Sequence, residues 1–107
     1  MSDSGNTVLN GPIYSTFADD PDFGDLLEMF VETIPEKRQS IQEAFATGDL
    51  CGVRTQAHQL KGAGGGYGFG GLTGVAAELE DACAASDIEH VRPAFDRLLN
   101  YLDRLSV

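Results

Sequence analysis

Apolar residues return every three or four positions along most of this chain, the spacing of one helix face. Phe23, Leu26, Leu27, Phe30 and Ile34 form the first stripe, and Ile41 and Phe45 continue it beyond Pro35. A proline removes a backbone donor and crowds the preceding turn. Residues 21 to 46 are therefore predicted as one kinked helix or two stacked pieces. Asp20, Pro21 and Asp22 mark the start: a capping carboxylate, a residue suited to the first helical position, and an anion at the positive end of the dipole. Gly48 supplies the stop and Asp49 the next cap. Leu50, Val53, Ala57 and Leu60 share a further face, and Leu72, Val75, Ala76, Leu79 and Cys83 another. Ser86 and Glu89 are spaced as a capping box, and behind them Ile88, Val91, Phe95, Leu98, Leu102 and Leu105 make the most regular stripe. Ile13, Tyr14 and Phe17, within residues 12 to 19, are predicted to form a short helical turn over one end of the core.

No segment alternates with period two for long enough to make a strand. The fold class predicted is all-α. Four amphipathic helices with short connections bury their stripes as an up-down-up-down bundle, with a short extra N-terminal helix. Residues 1–11 read as a flexible, polar N-terminus ahead of one domain over 12–107.

Charge narrows the partners. The chain has 107 residues and a formal net charge of −10. Nucleic acid or an acidic membrane would call for a basic surface, so neither is expected as a partner. Two cysteines, Cys51 and Cys83, make no disulfide framework and are expected to be reduced and buried in a cytosolic chain. The first ten residues, MSDSGNTVLN, lack the basic and apolar regions of a signal peptide. No run approaches the ~18 apolar residues of a membrane helix. A cytoplasmic location is expected, and Met1 with its polar surroundings reads as the start of a free-standing protein.

The candidate chemistry lies in AHQLKGAGGGYGFGG, residues 57 to 71. Arg54, Lys61, Gly62 and Gly65 stand at helical spacing from His58 and share its face, on the flank of the apolar stripe. Two glycines leave the backbone beside the imidazole bare, which lets another protein come close. A lysine one turn away offers charge to an anion held at the histidine. Such a histidine suits transient phosphorylation at one ring nitrogen, with the other needing a partner to fix the tautomer.

Residues 57 to 80, AHQLKGAGGGYGFGGLTGVAAELE, resemble the signature of histidine phosphotransfer (HPt) domains, through Ala57, His58, Leu60, Lys61, Gly62, Gly68, Phe69, Leu72, Leu79 and Glu80. IPEKR, residues 34 to 38, is similar to a proline-containing stretch common in that family, and the likeness spans about residues 20 to 105. The resemblance implies a four-helix bundle with an extra short helix. It implies His58 as phosphoacceptor through Nε2, Lys61 as a holder of phosphoryl oxygens and Gly62 as the clearing for a partner. It implies Glu80 as acceptor of the Nδ1 proton, with Arg54 and Gln59 on the docking surface. It also implies a monomeric phosphocarrier without kinase activity of its own. Its partners would be receiver domains of response regulators or hybrid histidine kinases. No cofactor is implied on this chain; the Mg²⁺ belongs to the receiver. Relatives often carry Ser or Ala where this chain has Gly64, Gly65 and Gly66, so fraying is expected there; Tyr67 either packs on the bundle end or edges the docking face.

Other readings are weaker. The glycine run has no following Gly-Lys-Ser/Thr and follows a helix, which disfavours a nucleotide loop. A metal- or haem-binding bundle is the alternative function, but paired Glu-x-x-His motifs are missing and the nearest feature is Asp87-x-x-His90. His90 reads as a solvated surface residue. Gln59 stands where histidine kinases place an acidic residue after the phosphoaccepting histidine.

Overall fold

The computed structural model describes residues 11–107. The flexible N-terminus expected over 1–11 thus lies, apart from Gly11, outside the described residues. The fold is all-α, with a nine-residue helix α1 (Gly24–Glu32) and four longer ones: α2 (Ile34–Ala46), α3 (Leu50–Gly66), α4 (Gly70–Ala84) and α5 (Ile88–Arg104). Helix α4 packs along α3 and α5, and α2 closes the group against α3 and α5.

The first stripe divides at Thr33. Pro35 falls in the first turn of α2, where its missing N–H matters least. The Thr33 hydroxyl donates to the Phe30 carbonyl at 2.7 Å, and the Lys37 N–H donates back to the Thr33 carbonyl, so the break stays tightly bonded. Leu27, Phe30, Ile34 and Ile41 are buried, whereas Leu26 is exposed.

Asp49 caps α3 by accepting from the Gly52 N–H at 2.9 Å. Gly48 before it has φ 77°, and the Asp49 and Gly48 N–H groups return to the Ala44 and Phe45 carbonyls. This left-handed ending uses the freedom of glycine. Gly68 repeats it between α3 and α4 at φ 79°, with the Phe69 N–H on the Gly64 carbonyl at 2.8 Å. Helix α3 therefore runs unbroken through its glycines to Gly66.

Ser86 takes the same left-handed position after α4, at φ 55°, and its neighbour Asp87 is the cap of α5. The cap expected at Ser86 thus falls one residue later, at Asp87, and the box with Glu89 does not form. Asp87 accepts from the His90 N–H at 3.3 Å, and Ile88, as first helical residue, points outward with 63% of its surface exposed. Behind it, Val91, Phe95, Leu98, Leu102 and Leu105 are buried as the stripe requires.

Residues 12 to 19 correct a second expectation. No helix forms there. Strand β1 (Ile13–Tyr14) pairs in parallel with β2 (Leu105–Ser106), Ile13 opposite Leu105, and successive turns close from Ser15 to Phe23. Local spacing suggested a helix, but a partner from the far end of the chain offered ladder bonds instead. The Ser15 hydroxyl donates to the Tyr67 carbonyl at 2.6 Å, and the Thr16 N–H to the Gly68 carbonyl at 3.0 Å, fastening this segment to the α3–α4 turn.

Aromatic contacts fill the bundle ends. Tyr67 stacks on Phe30 with ring centres 4.4 Å apart, which places it in the packing. Phe45 stacks on Phe95 at 4.1 Å, joining α2 to α5. Cys83 is buried, and burial pushes its thiol above the ordinary range; Cys51, against expectation, is exposed. Residue 51 lies two positions before Val53, about 160° round the helix from the buried line of Val53, Ala57 and Leu60 and on the side of His58. Among the described residues, no helix is long and apolar enough to cross a membrane.

Candidate functional site

His58 stands on the outer flank of α3, because Ala57 and Leu60 on either side of it turn inward and are buried. Its side chain is 65% exposed. Glu80 stands on the facing side of α4, next to buried Leu79, and its side chain is only 15% exposed.

The imidazole Nδ1 lies 2.9 Å from Glu80 Oε2. An ionised carboxylate can only accept, so this contact selects the tautomer with the proton on Nδ1. In the neutral ring Nε2 then carries the lone pair, and no side chain or backbone group among the described residues is hydrogen-bonded to it. Glu80 Oε1 receives the Lys61 ammonium at 2.7 Å. One carboxylate thus ties together two side chains of α3 that are three positions apart.

That arrangement lowers the Glu80 pKa below its usual value, first through the hydrogen bond from Lys61. Partial burial works in the opposite direction, and the hydrogen bond from His58 adds to the lowering. At neutral pH the carboxylate is ionised and able to hold the Nδ1 proton.

The glycines divide by what surrounds them. A Cβ at Gly62 would meet nothing within 4 Å, so the surface one turn beyond His58 is bare. Gly65 is also exposed, though a Cβ there would reach the Thr73 hydroxyl at 3.8 Å. Gly64 is buried against α4, and Gly71 leaves room for the Tyr101 ring.

Arg54 and Gln59 border an open depression beside His58 and Glu80, together with Cys51 and Thr55. Sequence reasoning passed over Cys51 and Thr55. Their spacing of seven and three positions before His58 would have put both on its side. His58, Lys61 and Glu80 are in direct contact; Arg54, Gln59, Gly62 and Gly65 surround them without touching the carboxylate. His90 lies elsewhere, exposed and paired with Asp87. No group of three or more His, Cys, Asp or Glu side chains among the described residues could hold a metal ion.

The Hpt domain family model matches residues 25–107, most of the chain. The chain belongs to the Hpt domain family. Searches of curated proteins and of solved structures gave no significant match. Hpt domains carry phosphoryl groups on histidine in two-component phosphorelays and work with receiver domains of response regulators or hybrid kinases. As a family they are phosphocarriers rather than catalysts. The helical, strand-poor architecture agrees with an Hpt bundle.

Proposed function

We propose that this protein is a phosphorelay intermediate that accepts a phosphoryl group on His58 from a receiver-domain aspartate and passes it to a second receiver. The observation that carries the reading is the His58 Nδ1 to Glu80 Oε2 contact of 2.9 Å beside an exposed ring. It leaves Nε2 as the nucleophile.

In the accepting step the Nε2 lone pair attacks phosphorus in line. The N–P bond forms as the bond from phosphorus to the aspartyl oxygen breaks, and the electron pair leaves with the receiver carboxylate. The Nδ1 proton stays on the ring, held by Glu80, whose charge offsets the positive charge developing on the imidazole. Lys61, one turn along, can exchange its bond to Glu80 for the arriving phosphoryl oxygens. Gly62 clears the approach, and Arg54 and Gln59 meet the partner's rim. The Mg²⁺ would be the receiver's. Positioning and charge are the contributions this chain makes. In the same reading α2 to α5 form the up-down-up-down bundle of the family, and the protein acts as a monomer in the cytoplasm.

The test is to incubate the protein with phosphorylated receivers and follow acid-labile, base-stable label. Wild type should take label at His58 and His58→Gln should take none. Label on His58→Gln would defeat the reading. A metal analysis and an absorption spectrum check the metal or haem alternative.

A further inference from the structure

Thr73 stands on α4 two turns before Glu80, and its hydroxyl donates to the Lys61 carbonyl of α3 at 3.0 Å. That carbonyl belongs to a helix interior, where a Gly65 N–H already uses it. The bond is therefore an extra tie between helices rather than a repair of an unsatisfied group. It forms where the two backbones come close. A Cβ on Gly64 would lie 2.8 Å from the Thr73 hydroxyl oxygen, 2.9 Å from the Thr73 nitrogen and 3.0 Å from the Phe69 carbonyl oxygen. Two of those three atoms are backbone and cannot turn aside.

Register connects this contact to the site. Seven residues separate His58 from Gly65 on α3, and seven separate Thr73 from Glu80 on α4. The helices are antiparallel here, so both intervals span the same two turns, about 10 Å. Gly65 faces Thr73 as His58 faces Glu80. A slide or rotation of α4 at the Thr73 end is carried along a rigid helix to the Glu80 end.

The geometry points to Thr73 as a positioning residue for His58. Its hydroxyl on the Lys61 carbonyl, with the bare backbone of Gly64 beneath it, sets α4 against α3 so that Glu80 reaches Nδ1 of His58 and Nζ of Lys61 together. The bond also anchors the backbone of Lys61 itself, one turn from the imidazole. The claim for phosphotransfer rests on the function proposed above; the claim for ring orientation does not.

Three variants test it. Thr73→Val keeps the shape and loses the donor, Thr73→Ser keeps the donor, and Gly64→Ala wedges the same contact from the other helix. The readouts are the imidazole ¹⁵N shifts of His58 at a pH where the ring is neutral, the rate of phosphoryl acceptance, and Tm as a control on folding. Thr73→Val and Gly64→Ala should move the ring from the Nδ1–H form toward a mixture of tautomers, and slow acceptance roughly ten-fold by misplacing the reacting nitrogen. Thr73→Ser should restore both. Thr73→Val and Gly64→Ala with wild-type tautomer shifts would overturn the proposal, as would Thr73→Ser failing to restore them. If wild type takes no phosphoryl group, the functional reading fails while the tautomer shifts still decide the role of Thr73. If Thr73→Val does not fold, the tautomer shifts of Thr73→Ser and Gly64→Ala decide it in the same way.

Discussion

Lys61 gives its ammonium to Glu80 Oε1, at 2.7 Å, on the carboxylate whose other oxygen holds His58. The lysine is engaged before any phosphoryl group arrives. On the proposed function an incoming phosphoryl group must draw it away, so that Glu80 and the phosphoryl oxygens would compete for one cation. Lys61→Met should leave Glu80 holding His58 alone. The Glu80 pKa should then rise toward its ordinary value, because Lys61 is the leading cause of its lowering. A carboxyl ¹³C titration by NMR checks this, and an unmoved midpoint would contradict the pairing. Phosphoryl acceptance should slow in the same variant, roughly ten-fold or more, with the loss of charge stabilisation.

The lowered Glu80 pKa also has a consequence for stability. A carboxyl group with a folded pKa below its unfolded one stabilises the fold fully above the unfolded value. The contribution is lost as pH falls through the folded value. Wild type should therefore be more stable than Glu80→Gln at neutral pH, with the gap closing in the acid range below the usual glutamate pKa. Urea unfolding of both proteins across that range measures it. A gap that widens on acidification would have the wrong sign.

Gly62 and Gly64 are two positions apart on α3 and should answer alanine oppositely. Around Gly62 there is open space, so Gly62→Ala should stabilise by about 0.5–1 kcal/mol through helix propensity. Gly64→Ala drives a methyl into the backbone of α4 and should destabilise by about 1–3 kcal/mol. Gly62→Gln should keep the fold and slow transfer from a receiver, since its side chain stands on the approach to His58. Thermal melts and transfer rates on the three variants separate packing from access.

Ser86 holds a left-handed backbone at φ 55°, which costs an L-residue about 1–2 kcal/mol. Glycine relieves that cost but loses more freedom on folding. Ser86→Gly should stabilise by about 0.5–1 kcal/mol and raise Tm by a few degrees. An unchanged or lower Tm would argue against strain at this turn.

The helical stripes were legible because their partners are local. Val91, Phe95, Leu98 and Leu102 announce a buried face by spacing alone, and all four are buried. The pairing of His58 with Glu80 followed only from a resemblance, since nothing in a 22-residue separation says that two helices bring those atoms together. Other features depend on contacts that no local pattern encodes. Ser86 looked like a cap because serine can be one, but the ending of α4 claimed it first. Ile13 and Phe17 have helical spacing, yet Leu105 decides what residue 13 does. Gly64 had no individual explanation until Thr73 was seen against it.

The short pairing of Ile13–Tyr14 with Leu105–Ser106 clasps the two extremities of the described chain. Two residues against two cannot hold unaided, so the clasp closes only on a bundle already assembled. Its ring encloses every helix among the described residues, and the entropy of so large a loop must be met before its bonds form. Amide protons of Ile13 and Tyr14 should exchange ahead of those in α3 and α4, and a protease should find this seam first. The clasp thus reports on the helices beneath it: where it stays shut, they are packed.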